Sequence, residues 1–180
     1  MNGHDGRVPD ATFLCAGGAT PGFFVEMTKD DFARGLDMSY WVQAWTAWVS
    51  FSASGPYRIT HLMALDQAVS QEMVKARKKG KICFVSSTLG YMSVVGYASY
   101  APGKHALRGL AESLRSEFKL YGIDVHIFFP CTMYTPGYER ENLTKPKITL
   151  KLEESDPGLT ATQAARGMLN GVYLFLAFMR

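Results

Sequence analysis

Three short apolar runs punctuate the chain: "ATFLCAG" at 11–17, "KICFVSS" at 81–87 and "DVHIFFP" at 124–130. Each is rich in β-branched or aromatic residues and stops at small or turn-forming ones, which predicts buried β-strands. Between the runs, apolar residues recur at helical spacing instead. One such pattern starts at Thr28, where Thr28 and Asp31 can cap each other, and continues through "DDFARGLDMSYWVQAWTAW". A second is "AVSQEMVKARKK" at 68–79, with Gly80 expected to end it. A third covers 99–122, with Ala106, Leu107, Leu110, Ala111 and Phe118 on one stripe and Gly122 as its stop. A fourth follows Thr160. Strands alternating with helices predict an α/β fold with a parallel, doubly wound sheet, whose ligands sit at the carboxyl ends of the strands. Those ends read "CAGG", "SST" and "PCTMYT".

Composition narrows the class of molecule. With 47% hydrophobic and 19% charged residues, the 180-residue chain can bury a core, which excludes a disordered polypeptide and fits one domain. A net charge of +3 is too small to point to nucleic acid. The basic run "KARKKGK" at 75–81 reads as cations at a helix C-terminus, where they complement the dipole. Cys15, Cys83 and Cys131 form no C-x-x-C pattern, so free thiols and no metal site are expected. The opening "MNGHDGRVPD" has no apolar stretch of a secretory signal, and no apolar run reaches the ~18–20 residues that span a bilayer.

Chemistry concentrates after the second run. Ser87 ends it, Tyr100 follows 13 residues later, and Lys104 lies four residues beyond Tyr100. On a helix, Tyr100 and Lys104 share one face. An ammonium beside a phenol favours the phenolate and lowers its pKa from about 10. Such a phenol can exchange a proton with a substrate oxygen, and a serine hydroxyl can hold the same oxygen; this is a constellation for carbonyl–alcohol redox. Spacing alone is weak evidence. Nine tyrosines and ten lysines in 180 residues yield roughly 0.5 such pairs by chance, the bland reading being two amphipathic side chains on one helix face.

The surrounding stretches add context. "CAGG", "VSSTLGYMSVVGYASYAPGK" and "PCTMYTPG" resemble the short-chain dehydrogenase/reductase family in that order and spacing, from Asp10 to about Gly171. Within it, "TPGYERENLTKP" at 135–146 resembles the branch that reduces 3-keto sphingoid bases, with fungal members nearest. The resemblance implies NADPH-dependent reduction of a long-chain 3-keto sphingoid base. It assigns Tyr100 as general acid, Lys104 as the residue that tunes it and holds the nicotinamide ribose, and Ser87 as the carbonyl's partner, with Ser86 as fallback. It places Ala16 and Gly17 against the cofactor ribose, with Cys15 where the family has Asn, and Pro130, Met133 and Thr135 over the nicotinamide. It also implies the cytosolic face of the endoplasmic reticulum membrane, or the cytoplasm for a soluble piece, and allows a homo-oligomer.

Three departures qualify this picture. The family's catalytic Asn falls on Ser39, whose hydroxyl can hold a water but offers no amide. No T-G-x-x-x-G-x-G turn precedes the first run, so the first strands and the amide cradle for the pyrophosphate are missing from this sequence. NADPH binding no tighter than roughly millimolar is therefore expected, and the incomplete domain is expected to be crippled. Residues 49–67, "VSFSASGPYRITHLMALDQ", interrupt the family spacing and contain a helix-breaking Ser-Gly-Pro; they read as a surface insertion or a retained intron. Two other readings remain at this point: a non-catalytic fragment that binds partners, or a reductase of another lipid ketone.

Overall fold

A computed structural model describes residues 8–48 and 69–174 of the chain. Its centre is a three-stranded parallel sheet of β1 (Ala11–Leu14), β2 (Gly80–Val85) and β3 (Ile123–Phe128), in that order. Leu14 pairs with Phe84, and Val85 with Phe128, so the three strands end side by side. Cys83 and Phe84 point to opposite faces of β2, and both are buried. The sheet is thus covered on both sides, as parallel sheets require.

The helices follow from their ends and stripes. Thr28 and Asp31 form the expected reciprocal cap, Thr28 Oγ1 accepting from Asp31 N at 3.2 Å and Asp31 Oδ2 from Thr28 N at 3.1 Å. This opens α1 (Lys29–Leu36), which passes through one π-helical turn at Asp37–Trp41 into α2 (Val42–Trp48). The expected surface segment 49–67 lies outside the described residues. After α3 (Val69–Lys75), the chain turns at Arg77 with a positive φ of 50°, so the helix stops before Gly80. Gly80 instead opens β2, where a Cβ would sit 2.5 Å from Met73 Sδ.

The long helix α4 (Ala101–Phe118) starts one residue later than its most reactive candidate, since Tyr100 is its N-cap. Leu107 and Ala111 turn inward from α4 onto Ile82, Phe84, Ile123 and Val125, forming the main core with Leu14 and Met73. A short 3-10 turn, Lys119–Tyr121, follows, and Gly122 closes it in the left-handed conformation. Beyond β3 lies a second, small sheet that no hydrophobic pattern foretells. There β4 (Met133–Tyr134) pairs in parallel with β5 (Leu159–Thr160), bracketing α5 (Pro136–Asn142) and α6 (Lys147–Glu153); α7 (Ala161–Leu174) follows.

Candidate active site

The carboxyl ends of β1 and β2 are joined by side chains rather than by ladder bonds. The β1–β2 pairing ends at Leu14–Phe84, and the next residue of β2, Val85, turns its backbone polar groups to Gln43 of α2. Gln43 Nε2 donates to Val85 O at 2.8 Å and to Ala16 O at 2.9 Å, while its Oε1 accepts from Val85 N at 3.1 Å. Only 1% of Gln43 is exposed. Gly17 follows with φ of 152°, a conformation that side chains rarely adopt, and a Cβ there would lie 2.9 Å from Met38 O and 3.7 Å from Lys104 Nζ. Ala16 and Gly17 themselves are exposed.

Ser87, Tyr100 and Lys104 come together beside this junction. Ser87 caps a short 3-10 turn, its Oγ accepting from Leu89 N at 3.2 Å, and lies close enough to the Tyr100 phenol to draw its pKa downward. Lys104 is 3% exposed, donates to Val85 O at 2.9 Å and lies 5.5 Å from the centre of the Tyr100 ring. The Lys104 amide also donates to Tyr100 O, so the pair keeps helical spacing although Tyr100 precedes the helix. Burial pushes the Lys104 ammonium down to about 8. The expected lowering of the Tyr100 phenol is reversed: burial and then the Glu141 carboxylate push it above the ordinary tyrosine range, with the Ser87 hydroxyl pulling the other way. Burial is the main physical reason, and the Lys104 ammonium that was expected to offset it is turned to Val85 O and the ring face.

Other candidates separate. Ser86 Oγ donates to Lys104 O at 3.2 Å and is buried, so it ties β2 to α4, leaving Ser87 as the hydroxyl beside Tyr100. Ser39 sits in the π-helical turn, fully buried, its hydroxyl without a hydrogen-bond partner among the described residues. It faces Gly103, where a Cβ would fall 1.9 Å from Ser39 Oγ, and so fills the contact between this turn and α4. Pro130 is buried beyond β3 and its carbonyl accepts from Thr88 N at 3.0 Å, next to Ser87. Met133 belongs to the second sheet, and Thr135 caps α5 by accepting from Tyr138 N at 3.2 Å.

Sequence reasoning missed Gln43, Tyr97, Glu141 and Lys145. Lys145 bridges Glu141 at 3.4 Å and Glu153 at 2.6 Å, with its side chain shielded from solvent, and the Tyr97 hydroxyl donates to Glu141. The signal for this group was present, because Glu141 and Lys145 stand four apart within "YERENLTKP". Gln43 carried none beyond being a polar residue in an aromatic helix stretch.

Residues 42–146, more than half of the chain, match the family described as short chain dehydrogenase. A 3-ketodihydrosphingosine reductase of Cryptococcus neoformans is 43% identical over 169 residues, covering 94% of this chain and 45% of that protein. A 3-ketodihydrosphingosine reductase of Dictyostelium discoideum is 34% identical, covering 91% and 43%. The chain thus spans a little under half the length of these curated relatives. Among solved structures, a short-chain dehydrogenase/reductase family oxidoreductase from Burkholderia thailandensis is 22% identical with a TM-score of 0.66, covering 91% of this chain and 57% of that one. A 4-hydroxyisoleucine dehydrogenase mutant complexed with NADH and succinate is 19% identical with a TM-score of 0.70, covering 91% and 60%. At these identities the two structures speak for the fold alone.

Proposed function

Because the chain belongs to the short-chain dehydrogenase/reductase family, we propose that it carries the substrate-side half of a reductase acting on the 3-keto group of a long-chain sphingoid base. The observation that carries the reading is the convergence of Ser87, Tyr100 and Lys104 at the carboxyl end of β2. The named relatives supply the substrate class. NADPH is the cofactor the family resemblance implies, and the residues fit its ribose–nicotinamide half. Ala16 and Gly17 are exposed at the end of β1, Gly17 leaves open the space a Cβ would fill, and Lys104 Nζ borders that space. A bound nicotinamide supplies the hydride.

This chain's residues do the rest. Ser87 Oγ holds the ketone oxygen, and the Tyr100 hydroxyl gives it the proton that completes the alcohol. Tyr100 suits an acid, because burial and Glu141 keep the phenol protonated at neutral pH. Lys104 holds the ribose while Val85 O keeps its ammonium in place. Gln43 keeps the Ala16–Gly17 turn against β2. Pro130, Met133 and Thr135 close the nicotinamide side. Ser39 acts through packing, fixing Gly103 and with it the start of α4.

We place the protein at the cytosolic face of the endoplasmic reticulum membrane, on the family resemblance. Among the described residues no helix is long and apolar enough to cross a membrane. To test the reading, the chain, preceded by the N-terminal portion of the Cryptococcus relative, is incubated with NADPH and 3-ketodihydrosphingosine, and dihydrosphingosine is measured by mass spectrometry. Product formation supports the reading; NADPH binding without product overturns the substrate assignment.

A further inference from the structure

The segment 136–153 folds back over the turn that leads into Tyr100, and it is fastened there at three successive residues. Thr149, fully buried, donates from Oγ1 to Val95 O at 2.7 Å. Pro146 packs on Gly96, whose φ is 90° and where a Cβ would meet Pro146 Cδ at 2.9 Å. The Tyr97 hydroxyl, on a residue 3% exposed, donates to Glu141 Oε1. Lys145 Nζ reaches the same Glu141 oxygen at 3.4 Å, also pairs with Glu153, and lies over the Tyr138 ring at 4.5 Å.

Tyr97 passes this restraint on. Its carbonyl accepts from Tyr100 N at 3.0 Å and Ala101 N at 2.9 Å, so it holds the first turn of α4. Its ring centre lies 5.9 Å from that of Tyr100. One residue therefore links Glu141, through its hydroxyl, to the backbone and ring of Tyr100. A purely structural joint could be made of apolar side chains at lower desolvation cost. Here two carboxylates face one ammonium, and the surplus negative charge lies beside two tyrosines.

We propose that Glu141, locked between Tyr97 and Lys145, is a positioning residue for the Tyr100 phenol, so that seating of the 136–153 segment and presentation of Tyr100 are one event. The inference rests on the reading of Tyr100 as proton donor. Its consequence is that Tyr100 is placed as an acid only while the segment is latched. The groups around Tyr100 are Ser87 from beyond β2, Lys104 from its own helix, and Tyr97, whose ring lies 5.9 Å away and whose hydroxyl carries the Glu141 carboxylate of α5. Of the two charges, the anion pushes the phenol upward, in the same direction as burial, and the cation is turned to Val85 O.

The test uses the 180-residue chain labelled at the tyrosine ζ carbon, with Tyr97 and Tyr100 lines identified by loss in Tyr97→Phe and Tyr100→Phe. In Glu141→Gln the amide oxygen still accepts from the Tyr97 hydroxyl, but the charge is gone. The Tyr100 line is expected to move, and its ionised fraction at a given alkaline pH to rise about tenfold, one pKa unit. An unchanged Tyr100 line and titration, with only Tyr97 affected, overturns the proposal. If Glu141→Gln loses its dispersed amide spectrum, Tyr97→Phe decides instead. That change removes one phenol oxygen, and the Tyr100 line must move; if it stays, the proposal falls. These resonances report without turnover. A Tyr100 that responds to Glu141 in a protein that reduces no ketone would sink the functional reading while leaving the coupling of the two residues in place.

Discussion

Replacing Gln43 by leucine tests the junction on which the site is built. Leucine matches the side chain in bulk but has no polar atom, so three hydrogen bonds vanish together. They do not cost the same. Val85 O keeps Lys104 as a donor. The Ala16 carbonyl belongs to an exposed residue and can turn to water, so its loss costs about 1 kcal/mol net. Among the described residues Val85 N has Gln43 Oε1 as its acceptor, and an orphaned buried donor costs about 1–3 kcal/mol. The sum is about 2–4 kcal/mol, which for a chain of this length lowers the midpoint of thermal unfolding by about 5–15 °C. Urea unfolding followed by circular dichroism measures it. A loss below about 0.5 kcal/mol would refute the argument, because Val85 N must then find water or another partner. Gln43→Glu sharpens the test. It keeps an acceptor for Val85 N but sets a carboxylate against two carbonyls, so its cost should shrink as pH falls and the introduced group protonates.

Gly103→Ala should destabilise by about 1–3 kcal/mol even though alanine is the better helix former, since Ser39 Oγ at 1.9 Å and Ser39 Cβ at 2.9 Å leave the methyl no room; adding Ser39→Gly should recover most of the loss in the same urea assay. Lys104 is protonated only to about pH 8 in the fold but to 10.5 when unfolded, so between these values the unfolded chain binds more protons and stability rises with pH, by roughly 3 kcal/mol at most. Cys83, pushed up to about 12, opposes this above pH 9, and Tyr97 and Tyr100 do so from about pH 10, so the difference between the chain and Lys104→Met across pH 7–10 isolates it; equal pH slopes would refute the burial of the ammonium. Deleting 49–67 should raise the unfolding midpoint if that segment interrupts what is one helix; a lower midpoint would make it a working part of the domain.

Much of this arrangement was legible in the order of residues. Apolar runs marked all three core strands because a parallel strand buried on both faces needs a continuous run, and the Thr28–Asp31 cap and the Gly122 stop are local chemistry. Ser87, Tyr100 and Lys104 could be picked out because strand end and helical spacing are local too. What escaped depends on distant partners. Gln43 is informative only once Ala16 and Val85 are beside it, 27 and 42 residues away in sequence. The direction of the Tyr100 shift is set by burial and then by Glu141, neither of which spacing reveals. The second sheet consists of two-residue strands, too short for any period to register. Gly80 is no helix stop because the turn is made by Arg77 at a positive φ, which its residue type does not announce.

The most direct test of the central claim is the rate of dihydrosphingosine formation from 3-ketodihydrosphingosine and NADPH by the N-terminally extended protein, compared with the same protein carrying Tyr100→Phe. The substitution removes one hydroxyl at the edge of Ser87 and leaves the ring, the helix start and the core in place. If Tyr100 donates the proton, the rate falls by about 10²–10⁴-fold while the unfolding midpoint holds. A Tyr100→Phe protein that turns over at the unsubstituted rate would contradict the assignment of this site.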